Sequence, residues 1–149
     1  MSLKGVMNHM ATKRTFSLEF LQHPPYLTLT DHLKALYFAL MSLADDDGFL
    51  YLSDSLLRQI NAKKSDISRL SSQNLLHLFD NKIVVILHWR VHNTIQKDRY
   101  TPTIYIKERQ QLCLDNRKIY RILTGGLDTN NPKKTTSEEK RREENIKEW

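Results

Sequence analysis

The stretch that most constrains the fold is the apolar run IVVIL, Ile83–Leu87. It carries no polar residue, so a strand formed here must be largely buried on both faces. Turn-forming residues, Asp80–Lys82, precede it, and Leu76–Phe79 before them has the pattern of a partner strand. We therefore predict a β-hairpin with strands over Leu76–Phe79 and Ile83–Trp89, joined by an Asx-rich turn.

Upstream of the hairpin, the apolar spacing predicts three helices and one short strand. The first helix begins after the N-cap Thr30 and ends in the Asp45–Gly48 turn, where glycine can adopt a positive φ. A strand over Phe49–Leu52 follows, then a helix starting at Ser53-Asp54 and a third helix capped by Ser65. This order is that of a winged helix-turn-helix, an α+β fold whose third helix enters the major groove of DNA.

The rest of the chain sets the predicted domain limits. We predict one domain over residues 16–124, preceded by a disordered lead over residues 1–15. Its C-terminal extension contains a short helix over Ile104–Leu112 and a small hairpin formed by Cys113-Leu114 and Ile119–Leu123. Residues 125–149 are rich in Thr, Asn, Lys and Glu with almost no apolar side chains, which predicts a disordered charged tail.

The basic charge of the chain is concentrated in one segment. The net charge is +6, and residues 81–121 carry nine basic and three acidic side chains while the flanking parts are neutral. A localised basic excess, here interleaved with aromatic residues such as Trp89 and Tyr100, is typical of polyanion binders and favours nucleic acid as the partner. The alternatives are a solvated basic face and a surface for an acidic protein.

Several functional classes are disfavoured by the residues present. Cys113 is the only cysteine, so one chain can form neither a disulfide nor a cysteine-based zinc site, and a reducing cytoplasm is expected. No apolar run approaches the roughly 18 residues of a membrane span. No glycine-rich phosphate loop is present, and we predict no cofactor, no bound metal and no enzyme activity. The open alternative is a metal-dependent nuclease that uses Asp45–Asp47 or the pair His88 and His92.

Three segments resemble one protein family in order and spacing. They are LYFALMSLADDDGF at Leu36–Phe49, IVVILHWRVHN at Ile83–Asn93 and KDRYTPTIY at Lys97–Tyr105. The chain resembles the N-terminal winged-helix domain of phage and prophage replisome organisers of Gram-positive bacteria, which are related to primosomal replication-initiation proteins. The chain departs from the family's pattern at the turns around the hairpin and at one basic position. Relatives usually have a lysine-glycine turn where this chain has Ser71–Asn74 and a wing-tip glycine where it has Asp80–Lys82, and Gln96 occupies a position that is often basic.

The resemblance implies a role in replication initiation in the cytoplasm of a bacterial host. Implied partners are double-stranded DNA at a phage origin and the host replicative helicase or its loader, and a homo-oligomer is possible. A winged-helix transcription regulator would share the DNA contacts but needs no helicase partner. Full-length relatives usually carry a further C-terminal domain for oligomerisation or helicase contact.

The candidate DNA-binding residues follow from the predicted helices and the basic segment. Short polar side chains and one arginine on the outer face of the third helix can reach base edges, and cations at its start and after the hairpin can reach phosphates. In the motif Lys97–Tyr100, an internal ion pair that locks the segment is an equally open alternative. The base-contacting candidates are Ser68, Arg69, Ser72 and Gln73, and the phosphate-contacting candidates are Lys63, Lys64, Lys82, Arg90, Lys97, Arg99 and Tyr100.

Overall fold

The computed structural model describes residues 13–123, and the predicted tail and most of the predicted lead lie outside this range. Arg14 and Thr15, which the sequence analysis assigned to the lead, already contact the body. The secondary structure is mixed α+β, as predicted. Its elements, in chain order, are α1 (Leu18–Leu21), α2 (Pro24–Leu27), α3 (Asp31–Leu43), β1 (Phe49–Tyr51), α4 (Asp54–Gln59), α5 (Lys64–Ser72), β2 (Leu76–Leu78), β3 (Ile83–Ile86), α6 (Trp89–His92), α7 (Ile106–Gln110), β4 (Leu112–Leu114) and β5 (Tyr120–Ile122).

Local capping sets the helix starts. The hydroxyl of Thr30 accepts a hydrogen bond from the N–H of Leu33, and Ser53 caps α4 in the same way, so the predicted N-cap Thr30 and the predicted helix start at Ser53-Asp54 are confirmed. The prediction for α5 is wrong by two residues, because its N-cap is Lys63 rather than Ser65. The Asp66 carboxylate reaches back to the N–H of Lys63 at 2.9 Å, and this acid in the first turn fixes the start.

Strand β3 lies at the centre of a three-stranded antiparallel sheet with the order β1-β3-β2. Phe49 and His77 both lie opposite Val85, which fixes the register on the two sides. The β2–β3 hairpin is confirmed, but β3 ends at Ile86 instead of continuing to Trp89. Leu87 turns out of the strand, and the chain then forms the short helix α6.

The sheet is covered on both faces, which explains the uninterrupted apolar run. On one face, the Phe49 ring lies 6.3 Å from the ring of Tyr120 in β5 and 6.4 Å from that of Tyr105. Leu50 and Val84 point to the opposite face and are buried with the helical side chains of the core. The predicted second hairpin, β4–β5, therefore packs as a cover on the sheet rather than extending into solvent.

Trp89 anchors α6 to the turn after α3. Its ring is fully buried, and its Nε1 donates a hydrogen bond to the carbonyl of Asp46 at 2.8 Å. Gly48 adopts a φ of +91°, and a Cβ at that position would lie 2.6 Å from Cγ of Trp89. The turn therefore requires glycine for two reasons, the backbone conformation and the close approach of the indole ring.

Replacing Trp89 with alanine should destabilise the domain by about 3–5 kcal/mol, because a fully buried ring is replaced by a cavity. Urea denaturation followed by circular dichroism measures the loss. Trp89→Phe is the matched control, since it keeps an aromatic ring but not the hydrogen bond, and its loss should be smaller. An alanine variant that unfolds at the parent's urea concentration would contradict the packing described here.

Candidate nucleic-acid interface

Helix α5 divides its residues between the core and solvent. Ile67 and Leu70 are buried against the sheet side of the domain. The four residues predicted to contact bases are all exposed, and the Ser72 hydroxyl donates to the carbonyl of Arg69 at 2.7 Å. The structure thus brings these candidates together on one accessible helix face: Ser68, Arg69, Ser72 and Gln73.

The N-terminal end of α5 carries exposed positive charge. Lys63 and Lys64 are both exposed there, at the positive end of the helix dipole. The backbone hydrogen bond from Lys63 lowers the pKa of Asp66, whose carboxylate also meets Nε2 of His32 at 3.1 Å. Two cations at a positive helix end form a geometry suited to a phosphate group.

The β2–β3 turn, Phe79–Lys82, is braced from two sides. Lys82 is exposed with a φ of +65°, and its carbonyl accepts a hydrogen bond from the N–H of Leu52 at 2.9 Å. The Asn81 amide donates to the carboxylate of Glu108 in α7 at 2.5 Å. The turn therefore presents Lys82 from a backbone held by neighbouring segments.

Lys97 and Arg99 lie in a tight turn after α6, in which the N–H of Arg99 bonds to the carbonyl of Gln96 at 2.9 Å. Both side chains are exposed, as a phosphate contact requires. Asp98 between them is exposed too. The predicted ion pair within this motif is not among the salt bridges of the described residues.

Arg90 does not fit the predicted phosphate contact, because its side chain is buried. It is only 2% exposed and forms an ion pair with the carboxylate of Asp47. Tyr100 is also drawn inward, since its hydroxyl donates to both Asp47 oxygens at 2.7 Å and its ring lies 5.5 Å from the Arg90 guanidinium. Tyr100 thus ties the end of this motif to Asp47 through its hydroxyl, which is a different contact from the internal ion pair that the sequence suggested.

The three consecutive aspartates, Asp45–Asp47, form a buried cluster that joins distant segments. Asp45 accepts hydrogen bonds from the N–H groups of Asp47 and Phe49 and from the Thr103 hydroxyl at 2.6 Å. Asp46 is 3.1 Å from the Arg14 guanidinium and accepts from the N–H of Thr101, while Asp47 binds Arg90, Tyr100 and the N–H of Thr103. Each carboxylate oxygen of the cluster thus has a protein donor.

This arrangement argues against a catalytic metal on the aspartate cluster, because its lone pairs are engaged by the protein itself. Local sequence reasoning predicted a capped turn here and missed the long-range partners. Arg14 lies more than 30 positions from Asp46, and Arg90 and Thr103 lie further still from Asp47. The sequence hint that the aspartates contact the segment after α6 is that the motifs ADDDGF and RYTPT occur in the same chain.

His92 at the end of α6 is part of a buried hydrogen-bond network, and the ring of His88, the N-cap residue of α6, packs 4.9 Å from the ring of Phe20. The N–H of Ser17 donates to Nδ1 of His92, so the neutral ring carries its proton on Nε2 and donates it to the Tyr37 hydroxyl at 3.0 Å. Burial lowers the pKa of His92 to about 4, and burial next to His23 does the same for His88. Within residues 13–123, no group of three or more His, Cys, Asp or Glu side chains could hold a metal ion.

No family model, curated protein or solved structure matches the chain. Among the described residues, no helix combines the length and apolar character needed to cross a bilayer.

Buried titratable groups predict how stability depends on pH. Between pH values of about 4 and 6, His88 and His92 bind protons mainly in the unfolded chain, because burial lowers their folded pKa. Asp45 behaves oppositely, since burial raises its pKa to about 6 and it holds a proton mainly when folded. Two groups outweigh one, so stability should rise with pH through this window.

Two variants separate these contributions in urea denaturation across the same pH range. Asp45→Asn keeps an acceptor for the N–H groups of Asp47 and Phe49 but cannot ionise, so the rise with pH should become steeper. His92→Gln removes one of the opposing groups and should flatten the rise, by up to about 1.4 kcal/mol per pH unit. A parent whose stability falls as pH increases would contradict the assignment.

Proposed function

We propose that the chain is a winged-helix protein that binds double-stranded DNA, with α5 as the reading helix and the β2–β3 hairpin as the wing. The observation that carries the proposal is the exposed polar face of α5. The exposed cations Lys63 and Lys64 lie at the start of this helix, and Lys82 is exposed on the β2–β3 turn. The element order α3, β1, α4, α5, β2, β3 and the sheet order β1-β3-β2 support the fold assignment.

The surface chemistry supports a division between reading and docking contacts. Arg69 can present two donors to a guanine edge, and Ser68 and Gln73 can exchange hydrogen bonds with other bases. Lys64, Lys82 and the other exposed cations can neutralise phosphates and so supply affinity that depends on salt but not on sequence. Arg90 is not part of the proposed interface, because its guanidinium is buried in an ion pair with Asp47.

We further propose that this binding serves replication initiation of the phage type. The resemblance that supports this role rests on segments whose residues form the aspartate cluster: Asp45–Asp47, Arg90, Tyr100 and Thr103. These residues are bonded to one another inside the domain. The resemblance therefore supports a shared fold more directly than it supports a shared DNA target. Recruitment of a helicase or its loader belongs to the same proposal.

A binding protein, rather than a nuclease, is the class that the chemistry favours. The carboxylates available for metal chemistry are engaged by donors of the protein, and Arg90 neutralises one of them. Incubating supercoiled DNA with the protein and magnesium or manganese checks this directly. Cleavage that disappears in Asp46→Asn would overturn the proposal of a pure binding function.

Arg69→Ala and Lys97→Ala should weaken DNA binding in different ways. If Arg69 contacts a base edge, its loss costs about 1–3 kcal/mol at the preferred site and reduces the preference over random DNA. If Lys97 contacts phosphate, its loss weakens binding to both duplexes equally and reduces the salt slope by roughly one unit. Fluorescence anisotropy on a selected and a random duplex, across salt concentrations, measures both effects.

Lys34→Ala is the matched control for this experiment. Lys34 lies on α3 above the ring of Tyr26 and is not among the residues proposed to contact DNA, so its replacement lowers the net charge by one and removes this cation–π contact rather than a proposed DNA contact. If Arg69→Ala leaves the ratio of specific to random binding unchanged, α5 is not the reading helix. If the parent does not bind duplex DNA even at low salt, the proposed function fails as a whole.

The biological role is tested by capturing fragments of phage and host DNA on the protein and sequencing them. Enrichment of a replication origin supports initiation. Enrichment of promoters would instead assign the same winged helix to transcriptional regulation.

A further inference from the structure

We propose that the β4–β5 turn, Asp115–Lys118, is a second contact to the DNA backbone, at the end of the sheet where α5 finishes. This inference rests on the proposed function and adds residues outside the winged-helix elements. The DNA contacts proposed above come from α5, the β2–β3 turn and the segment after α6, and none of them involves the basic β4–β5 hairpin. The ligand is the phosphate backbone of the same duplex.

Two backbone hydrogen bonds place the β4–β5 turn. The N–H of Tyr120, the first residue of β5, donates to the carbonyl of Leu87 at 2.9 Å. The N–H of Leu87 in turn donates to the carbonyl of Leu75 at 3.3 Å, and Leu75 follows α5 by three residues. The turn end of the hairpin is thereby tied to the end of the sheet at which α5 finishes.

This position is opposite to that of the β2–β3 turn. Strand β2 leaves the α5 end of the sheet at Leu76 and reaches the β2–β3 turn after Leu78. The base of the β4–β5 hairpin lies toward α7, where the N–H of Leu123 bonds to the carbonyl of Gln111 at 2.7 Å and where Asn81 meets Glu108. The two basic turns therefore lie at opposite ends of the sheet that supports α5.

The β4–β5 turn has a fixed backbone. One oxygen of Asp115 accepts hydrogen bonds from the N–H groups of Arg117 at 2.8 Å and Ile119 at 3.0 Å. The N–H of Lys118 bonds to the Asp115 carbonyl at 3.0 Å, with Lys118 at a φ of +63°. A fixed backbone lowers the entropic cost of placing cations against a phosphate.

The turn carries an excess of exposed positive charge. Arg117, Lys118 and Arg121 are exposed, whereas Asp115 is the one acidic residue between positions 109 and 123. Its second oxygen is 2.9 Å from Nε of Arg121, so this acid neutralises Arg121 and leaves the charge of Arg117 uncompensated by any salt bridge described for the hairpin. Such a cluster has the chemistry that recognises a polyanion.

The test uses two variants with opposite expected signs, measured by anisotropy on a random duplex over a range of salt. The double variant Arg117→Gln, Lys118→Gln removes two cations and keeps the three hydrogen bonds that the backbone N–H groups of Arg117, Lys118 and Ile119 donate within the turn. It should shallow the plot of log K against log salt by up to about two units, at about 0.9 for each lost phosphate contact.

Asp115→Asn should have the opposite effect. The asparagine oxygen can still accept from the N–H groups of Arg117 and Ile119, but the side chain no longer neutralises Arg121. Binding should therefore become tighter and the salt slope steeper, an outcome that a loss of folding cannot produce. Lys34→Ala serves again as the control for net charge alone, and the melting temperature of each variant checks its fold.

The outcomes separate this inference from the proposed function. A parent that binds DNA, with a double variant whose slope and affinity match the parent's, overturns the role of the β4–β5 turn alone. A change no larger than twice that of Lys34→Ala, which removes one charge where the double variant removes two, also overturns it, because the effect is then one of total charge. A parent that binds no duplex overturns both proposals, and opposite shifts in the two variants support both.

Discussion

The ion pair between Asp47 and Arg90 is the interaction on which the rest of the structure depends. Both side chains are almost fully buried, and Tyr100 and the N–H of Thr103 complete the coordination of the carboxylate. Removing one member of such a pair leaves an uncompensated buried charge, which typically costs about 3–5 kcal/mol. One carboxylate therefore holds together the turn after α3, helix α6 and the segment that follows α6. Apolar packing alone would fix the relative positions of these three elements less specifically.

That internal bonding also determines which charges remain at the surface. Asp46 and Asp47 are withdrawn from solvent together with Arg90, so the formal charge of the sequence and the charge that faces a partner are different quantities. Lys97 and Arg99 stay exposed in the turn just before Tyr100, whose hydroxyl holds the following residues to Asp47. Residues 1–80 have no net charge in the sequence. Because Asp46 and Asp47 are buried, the surface that these residues expose carries less negative charge than the sequence suggests.

The parts of the fold set by neighbouring residues could be predicted from the sequence. The caps at Thr30 and Ser53, the β2–β3 hairpin and the buried IVVIL strand all follow from spacing, turn chemistry and apolar content. The sequence pattern predicts that α5 starts at Ser65, because a serine is a common N-cap. The helix instead starts after Lys63, whose N–H donates a hydrogen bond to the carboxylate of Asp66. Arg90 and Tyr100 were assigned to the interface because charge and aromaticity look the same in a sequence whether the side chain faces solvent or a carboxylate 43 or 53 positions away.

The short strands have a consequence for how copies of the protein can associate. In the sheet order β1-β3-β2, the two outer strands are three residues each, and an outer strand is the usual template for pairing with another chain. Three residues offer few free N–H and carbonyl groups, and the second hairpin already occupies one sheet face. Continuous sheets that run from one molecule to the next are therefore disfavoured, so several copies of the protein can lie close together with little tendency to polymerise through their backbones.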